Sequence, residues 1–315
     1  MRKLLILPLL IFICSACSEK GRFYSKEAEN LPLKVEIERF DRDFLLLDSA
    51  SLQEKYPDFY PIYVRNILEL PAHELENFRA DSVVRGLFAD VEKEYSSVSD
   101  VEKTLTKAFK YYKYYFPEKQ VPKVSFHVSG FNQCVVTLQD RISVSADYYL
   151  GKDYPMYSSV AYQYEVPYLT REHMPVDVML GWLSSEIQTD DYRLLESMIN
   201  HGKVMYLLEA FFPDYQMSEI LSYTPEQFAW CEEHEKRIWH SIVENKELYS
   251  TDWRTIMKYT QPAPFTNGYS QEQSPGRLGV YMGWKMVSSF MKAHKELSLS
   301  DLMSTTDAQE IMRYY

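Results

Sequence analysis

The chain contains seven histidines, and two histidines at a suitable spacing would bind a catalytic metal ion. None lies in the pattern His-Glu-x-x-His, which places two imidazole rings and a carboxylate on one face of a helix. His234 and His240 are six residues apart, so their rings point about 120° apart on a helix. The sequence therefore predicts no metal and no cofactor, and we expect neither ring to be a metal ligand.

The nucleophilic side chains also lack the neighbours that would activate them. No Gly-x-Ser-x-Gly turn occurs, and the cysteines of the body, Cys134 and Cys231, are 97 residues apart. Cys231 lies three residues before His234, but it shares the apolar face of a predicted helix with Phe228 and Ile238. We predict two free, buried thiols, with a disulfide between them as the alternative.

A further group of polar residues lies in the apolar stretch 194–208. Glu196, His201 and Lys203 are surrounded there by leucine, methionine and valine, and a buried carboxylate or ammonium group must be paired or neutral. Gly202 interrupts this predicted helix at a cost of about 1 kcal/mol relative to alanine, which indicates close packing against another helix. Two interpretations follow: a polar cluster beneath a cleft, or an ion pair that joins two helices.

Arg277 lies at the predicted start of a helix, where a cation is electrostatically unfavourable. We therefore expect its guanidinium group to pair with a carboxylate, for which Asp147 is one choice. The sequence predicts a polar cluster of Asp147, Glu196, Lys203 and Arg277. If the chain is an enzyme, its catalytic candidates are Glu196, His201 and His173.

The composition narrows the function classes. The chain has 315 residues, of which 46% are hydrophobic and 25% charged, as in a globular protein. Its 10 glycines form no phosphate-binding loop pattern, and the formal net charge of −11 disfavours binding to a nucleic acid. The 26 tyrosines supply apolar area together with hydroxyl groups that need partners, which predicts a helix-rich fold with polar links in its core.

The first residues are typical of an export signal that ends in a lipid anchor. Arg2 and Lys3 precede an apolar run at residues 4–13, which is too short to span a bilayer. Ser-Ala then precedes Cys17, as in the lipobox of a bacterial lipoprotein. We expect residues 1–16 to be removed and Cys17 to carry acyl chains such as palmitate. An ordinary secretory signal cut at the same place is the alternative.

Residues 17–33 are polar and without period, which predicts a tether between the lipid and the folded body. Without residues 1–16 the chain keeps 32 basic and 45 acidic residues, a net charge of −13. Anionic headgroups would repel such a body, so we expect the lipid to hold it at the membrane. This predicts a location in the cell envelope, at the outer or cytoplasmic membrane and facing the periplasm.

Hydrophobic periodicity predicts the elements that position these residues. Short strands are predicted at 35–40, 123–129, 134–138 and 141–145. Helices are predicted at 59–70, 90–116 (with Asp90 as its N-cap), 176–188, 191–212, 225–245 and 277–293. The loop 262–277 is long enough for a binding element. No repeat or long linker divides the chain, so we predict one domain, residues 34–315, of α+β class: mainly helical, with a sheet of three to four strands.

Several segments, taken in order, resemble the gliding-motility lipoprotein GldB family of Bacteroidetes. They are the lipobox at Cys17, residues 142–151 with 153–155, 198–203 with Tyr206, 223–231, 263–265, and 275–279 with 283–284. Together they extend over about residues 35–315. The resemblance implies an envelope location and a protein partner of the gliding machinery, and it implies no particular reaction.

The order of elements also looks like that of zincin-type metallopeptidases. In those enzymes one helix carries two histidines and a second helix carries a further ligand. Here the first helix, 176–187, contains no histidine, and the second contains Glu196 followed by Gly202. Without imidazole ligands a catalytic zinc has no site. The likeness therefore implies at most a metal-free, zincin-like scaffold.

From these observations we expect a non-catalytic interaction or scaffold component of the envelope, held by its N-terminal lipid and bound to an envelope protein. A degenerate or cryptic metallopeptidase-like hydrolase, acting on envelope peptide or cell-wall bonds, is the alternative.

Overall fold

The computed structural model describes residues 21–187 and 192–315. Its α-helices are α1 (Lys26–Glu29), α2 (Phe40–Leu46), α3 (Ser49–Lys55), α4 (Tyr60–Ile62), α5 (Leu75–Ala80), α6 (Ser82–Glu94), α7 (Ser99–Tyr115), α8 (Tyr157–Val160), α9 (Met174–Glu186), α10 (Leu194–Phe211), α11 (Met217–Ile220), α12 (Pro225–Glu244), α13 (Trp253–Thr260), α14 (Leu278–Ala293), α15 (Leu299–Ser304) and α16 (Ala308–Met312). A π-helix, Tyr63–Ile67, continues α4, and short 3-10 turns lie at Ala72–Glu74, Ala146–Tyr149 and Val166–Tyr168. No helix among the described residues is long and apolar enough to cross a membrane.

The strands β1 (Ile37–Glu38), β2 (Lys123–His127), β3 (Val135–Thr137) and β4 (Arg141–Ser145) form one sheet in the order β1-β2-β4-β3. The first three strands in this order are parallel, and β3 runs antiparallel to β4 at the edge of the sheet. The predicted class, α+β with a small sheet and a helical majority, is confirmed.

The four predicted helices of the C-terminal half are all present, each with ends within about three residues of the prediction. The start of α12 shows why: the Thr224 hydroxyl accepts a hydrogen bond from the Gln227 N–H, and the Gln227 side-chain oxygen accepts one from the Thr224 N–H. Pro225 occupies the first turn, where its missing N–H costs nothing. Such a capping box is legible in a sequence.

The predicted single helix at 90–116 is wrong. It is divided into α6 and α7, and Asp90 lies inside α6, where its carboxylate accepts a hydrogen bond from the Tyr154 hydroxyl. Distant arginines bind the main-chain carbonyls freed at the break: Arg39 binds that of Tyr95 at 2.6 Å, and Arg171 that of Glu94 at 2.6 Å. Because these partners come from elsewhere in the chain, helical periodicity does not reveal the break.

The chain packs against the body from residue 21 onward, which is inside the segment 17–33 that the sequence predicts as a tether. Gly21 contacts the Pro213 carbonyl so closely that no side chain would fit there. The Arg22 guanidinium forms an ion pair of 2.6 Å with Glu209, near the C-terminal end of α10, and lies over the Tyr206 ring. Residues 1–20, including Cys17 and the predicted signal peptide, lie outside the described residues.

Helices α10 and α14 cross at the centre of the helical part, with their main chains in contact. A methyl group on Gly202 would overlap the main chain of Gly283, and one on Gly283 would overlap the carbonyl of Met198. The expectation that Gly202 marks close helix packing is confirmed. Cys231 is buried against this core, and both Cys134 and Cys231 are free thiols, as predicted.

We expect Gly283→Ala to lower the free energy of unfolding by about 3 kcal/mol, because the added methyl group must push two helices apart. Gly86, an exposed glycine inside α6 with no atom near its side-chain position, provides the control. Gly86→Ala should raise the free energy of unfolding by about 0.5–1 kcal/mol through helix propensity. Chemical denaturation monitored by circular dichroism measures both. Equal effects of the two substitutions would contradict the close crossing.

Candidate functional site

A cavity of about 620 Å³ opens where the edge strand β3, the first half of α9 and two loop corners meet. Cys134 and Val135 line it from the start of β3, and His173, Asp177 and Gly181 line it from α9. The segments 164–169, 222–227, 262–264 and 275–277 form the remaining walls. The predicted binding loop 262–277 is thus part of the wall at both of its ends.

A larger depression of about 990 Å³ lies between α1, α7 and the end of α10. Three of its charged side chains pair with each other: the Lys107 ammonium group is 2.7 Å from Glu29 and also binds Asp214. The smaller cavity contains His173, Asp177 and Arg277 together, so we take it as the candidate site.

On one wall of the cavity, consecutive hydrogen bonds connect Cys134, Tyr149 and Asp177. The Tyr149 hydroxyl donates to Asp177 Oδ2 at 2.8 Å, and Cys134 Sγ lies 2.9 Å from the same hydroxyl oxygen. Burial raises the pKa of the Cys134 thiol. The thiol therefore stays protonated and donates to Tyr149, which leaves it a poor nucleophile.

His173, at the N-cap of α9, is held on the other side of Asp177. Its Nε2 lies 3.0 Å from the Ser222 hydroxyl and 3.6 Å from Asp177 Oδ1. In a catalytic triad the serine and the carboxylate bind opposite nitrogens of the ring. Here both face the same nitrogen, so this arrangement positions the ring without forming a relay.

The opposite walls are two loop corners that bind each other. Ser222 and Arg277 both have a left-handed main chain, with φ of 53° and 56°, a strained conformation for residues other than glycine. The Arg277 guanidinium donates to the carbonyl of Leu221, and the Tyr223 hydroxyl donates to that of Gly276 at 2.7 Å. These bonds hold the corner before α12 against the corner before α14.

Arg277 does not bind the carboxylate that the sequence suggested for it. Its guanidinium group donates to the Leu221 carbonyl, and Asp147 binds other partners. Glu165 is the carboxylate of this part of the cavity wall. Burial raises the pKa of Glu165, and the hydrogen bond with Tyr164 and the positive charge of Arg277 oppose this rise. The sequence gives no signal for a main-chain carbonyl as the partner of Arg277.

Asp147 lies away from the other predicted cluster residues. Its side chain is fully buried and accepts hydrogen bonds from the Phe131 N–H at 2.9 Å and from the Ser145 hydroxyl. Burial raises the pKa of this carboxyl group, and the hydrogen bonds oppose the rise. Asp147 therefore secures the loop between β2 and β3, one structural support of the cavity.

The predicted residues of α10 do not reach the cavity. Glu196 pairs with Arg193, and His201 Nδ1 lies 2.8 Å from the carbonyl of Ser197. The Lys203 ammonium group donates to the carbonyl of Thr305, near the end of the chain. Of the three catalytic candidates, only His173 lines the cavity, and Glu196 and Lys203 form no ion pair with each other.

Comparison with known families decides the identity of the chain. The family model of gliding motility protein GldB matches residues 23–314. The chain belongs to the GldB family. It is therefore a protein associated with gliding motility, and the family resemblance predicted from the sequence is confirmed. No curated protein and no solved structure matches it, and the likeness to zincins finds no support.

The segments that carry the GldB resemblance build much of the cavity wall. Residues of 223–231, 263–265 and 275–279 line it, including Tyr223, Ala263 and Gly276. Asp177 and Ser222, which the sequence reasoning missed, complete the wall. Asp177 follows His173 by one helical turn, a spacing that could have revealed it. In the described part of the chain, no group of three or more His, Cys, Asp or Glu residues could hold a metal ion.

We expect the stability of the protein to rise with pH above about 8 because of Lys203. Burial lowers the pKa of Lys203 to about 8, against 10.5 for an ordinary lysine. Between these values the unfolded chain binds more protons than the folded one, so the free energy of unfolding increases with pH, by at most about 1.4 kcal/mol per unit.

Lys203→Met should remove this slope, while Lys295→Met, at an exposed lysine, should keep it. Denaturation midpoints between pH 7.5 and 9.5, compared with those of the wild type, measure the difference. A wild-type slope in Lys203→Met would contradict the assignment.

Proposed function

We propose that this GldB-family chain is a lipid-anchored protein of the cell envelope that binds a partner protein in its cavity and catalyses no reaction. One observation carries the proposal: the imidazole group of His173 and the guanidinium group of Arg277, which line the cavity, are occupied in holding its walls together. His173 binds Ser222, and Arg277 binds the carbonyl of Leu221. Such a cavity is preorganised for binding.

A hydrolase would need donors for the negative oxygen that forms during acyl transfer. The N–H groups after Ser222, whose hydroxyl lies 3.0 Å from His173 Nε2, would be the natural donors. The N–H of Tyr223 already binds the Ser218 carbonyl at 2.8 Å, and the N–H of Thr224 binds the Gln227 side chain at 3.0 Å. This occupation supports a binding role over the hydrolase alternative.

Two features support the proposed lipid anchor: the sequence around Cys17 and the position at which the folded body begins. Three residues lie between Cys17 and Gly21, so the two are separated by four residue steps, which reach at most about 14 Å when fully extended. From Gly21 onward the chain is fixed to the end of α10 through Arg22 and Glu209. A lipid on Cys17 would therefore hold this end of the body next to the bilayer.

We expect Cys17→Ser to release the protein from the membrane fraction of the bacterium, because the lipid is its main attachment. Cys14→Ser is the matched control, since Cys14 lies in the segment removed with the signal and should leave the membrane attachment unchanged. Fractionation, with mass spectrometry of the mature N-terminal peptide, reads both. A Cys17→Ser variant that stays in the membrane like the wild type would refute the anchor.

For the cavity, we expect Pro264→Trp to abolish crosslinking to the envelope partner. Pro264 is exposed at the wall of the cavity, so an indole ring there would occupy the entrance without replacing a core residue. Pro57→Trp puts the same ring at an exposed position that does not line the cavity and should leave crosslinking intact. Crosslinking in intact cells and thermal denaturation of each variant test this.

Equal crosslinking of both variants would place the partner elsewhere. Hydrolysis of envelope peptides or cell-wall fragments by the purified chain, lost in His173→Ala, would replace the binding role by the hydrolase alternative.

A further inference from the structure

The edge strand β3 exposes main-chain groups that have no partner among the described residues. The Ser145 N–H binds the Cys134 carbonyl, and the Leu138 N–H binds the Arg141 carbonyl. In an antiparallel pair, hydrogen-bonded residues alternate with residues whose N–H and C=O groups point the other way. The N–H and C=O groups of Val135 and Thr137 therefore point outward from the sheet.

The residues of this edge are not of the types that usually protect such strands. Val135, Val136 and Thr137 are uncharged and β-branched, with neither proline nor lysine among them. Proteins normally block free edges with charges, prolines or covering segments, because an open edge pairs with another extended chain. Proteins that bind extended peptides by strand addition use a sheet edge of this kind, with a neighbouring pocket for a side chain of the peptide.

The cavity beside β3 presents a carboxylate with an unused oxygen. Asp177 Oδ2 accepts from Tyr149, whereas Oδ1 accepts no hydrogen bond from the described residues and lies 3.6 Å from His173 Nε2. The side chain of Asp177 is 27% exposed, so a ligand can reach it. Glu165 adds a second carboxylate to the same cavity.

We propose that β3 binds an extended segment of a partner polypeptide as an additional strand, and that a lysine or arginine side chain of this segment enters the cavity and pairs with Asp177. The proposal rests on the binding role proposed above and names its occupant. The outward groups of Val135 and Thr137 recur every second residue, which a polypeptide main chain matches and a sugar or lipid does not. The net charge of −13 of the mature chain favours a basic segment through long-range attraction.

The probe is a displayed pool of random decapeptides, selected on the full-length chain in detergent micelles. Selected peptides should contain lysine or arginine at one fixed position within β-prone residues. Methylation of alternate peptide nitrogens should abolish binding, because it removes the donors that pair with β3. Hydrogen exchange of the Val135 and Thr137 amides should slow at least tenfold in the complex.

Two substitutions of Thr137 test whether its main-chain N–H binds the peptide, without changing the hydrogen bonds of the sheet. Thr137→Pro removes an outward N–H that takes no part in the sheet, and proline is tolerated at edge positions. It should weaken peptide binding at least about tenfold, which corresponds to about 1.4 kcal/mol. Thr137→Val keeps the N–H and should change the dissociation constant less than about twofold.

The pairing with Asp177 is tested by a double-mutant cycle. Asp177→Asn should weaken binding of a lysine-containing peptide about tenfold, and it should have no effect on the same peptide with norleucine in place of lysine. Asn keeps the size of the side chain and can still accept from Tyr149, so the fold should be retained.

A pool that yields no binder, or binders that leave the exchange of Val135 and Thr137 unchanged, would overturn strand addition. If Asp177→Asn weakens binding of the lysine peptide and of the norleucine peptide equally, the proposed pairing of a basic side chain with Asp177 is wrong. If crosslinking in cells still depends on Pro264 in either case, the cavity remains the partner site and only the proposed occupant fails. If that dependence is also absent, the proposed function itself fails.

Discussion

Helices α10 and α14 touch main chain to main chain at Gly202 and Gly283, and most of the helical half is arranged around this contact. With no side chain at either position, the two helices lie closer than larger residues would allow. The crossing fixes where α14 begins, and α14 begins directly after Arg277. Since α10 also packs against α9, the crossing sets the distance between the Arg277 corner and the wall that carries Asp177.

Hydrogen bonds then fix the cavity walls within that arrangement. Arg277 and Tyr223 join the corners on one side, and Tyr149 joins the sheet side to α9 through Asp177. Each of these bonds is buried or half-buried, so leaving a partner unpaired would cost about 1–3 kcal/mol. The groups left for a ligand are those that the walls do not use: one oxygen of Asp177 and the outer edge of β3.

The sequence was sufficient for elements whose signals are local. The limits of α12 follow from its capping box, and Gly202 was recognised as a packing residue because a glycine inside an apolar helix has few other roles. The break between α6 and α7 was not predictable, since its carbonyls are bound by Arg39 and Arg171 from other segments.

Partners from distant segments also explain why the sequence did not predict the arrangement of the candidate site. Arg277 and His173 were selected from the sequence, but the groups that they bind, the Leu221 carbonyl and the Ser222 hydroxyl, are neighbours only in the folded chain. Glu196 and Lys203 were expected either to belong to a polar cluster beneath a cleft or to take part in an ion pair that joins two helices. In the structure Glu196 pairs with Arg193, and Lys203 donates to the carbonyl of Thr305. The spacing of two residues in the sequence shows whether they share a face of a helix. It does not show which groups of other segments the folded chain places beside them.

The geometry also relates the proposed anchor to the cavity. Arg22 fixes the first described residues to Glu209 on α10, and the same helix packs against α9 at the wall of the cavity. With a lipid on Cys17, as we propose, at most about 14 Å of chain would separate the anchored residue from Gly21. A partner segment bound along β3 would then be held near the membrane, because α10 packs against α9. A short connection of this kind restricts the separation between a membrane and a bound protein more than a long flexible tether does.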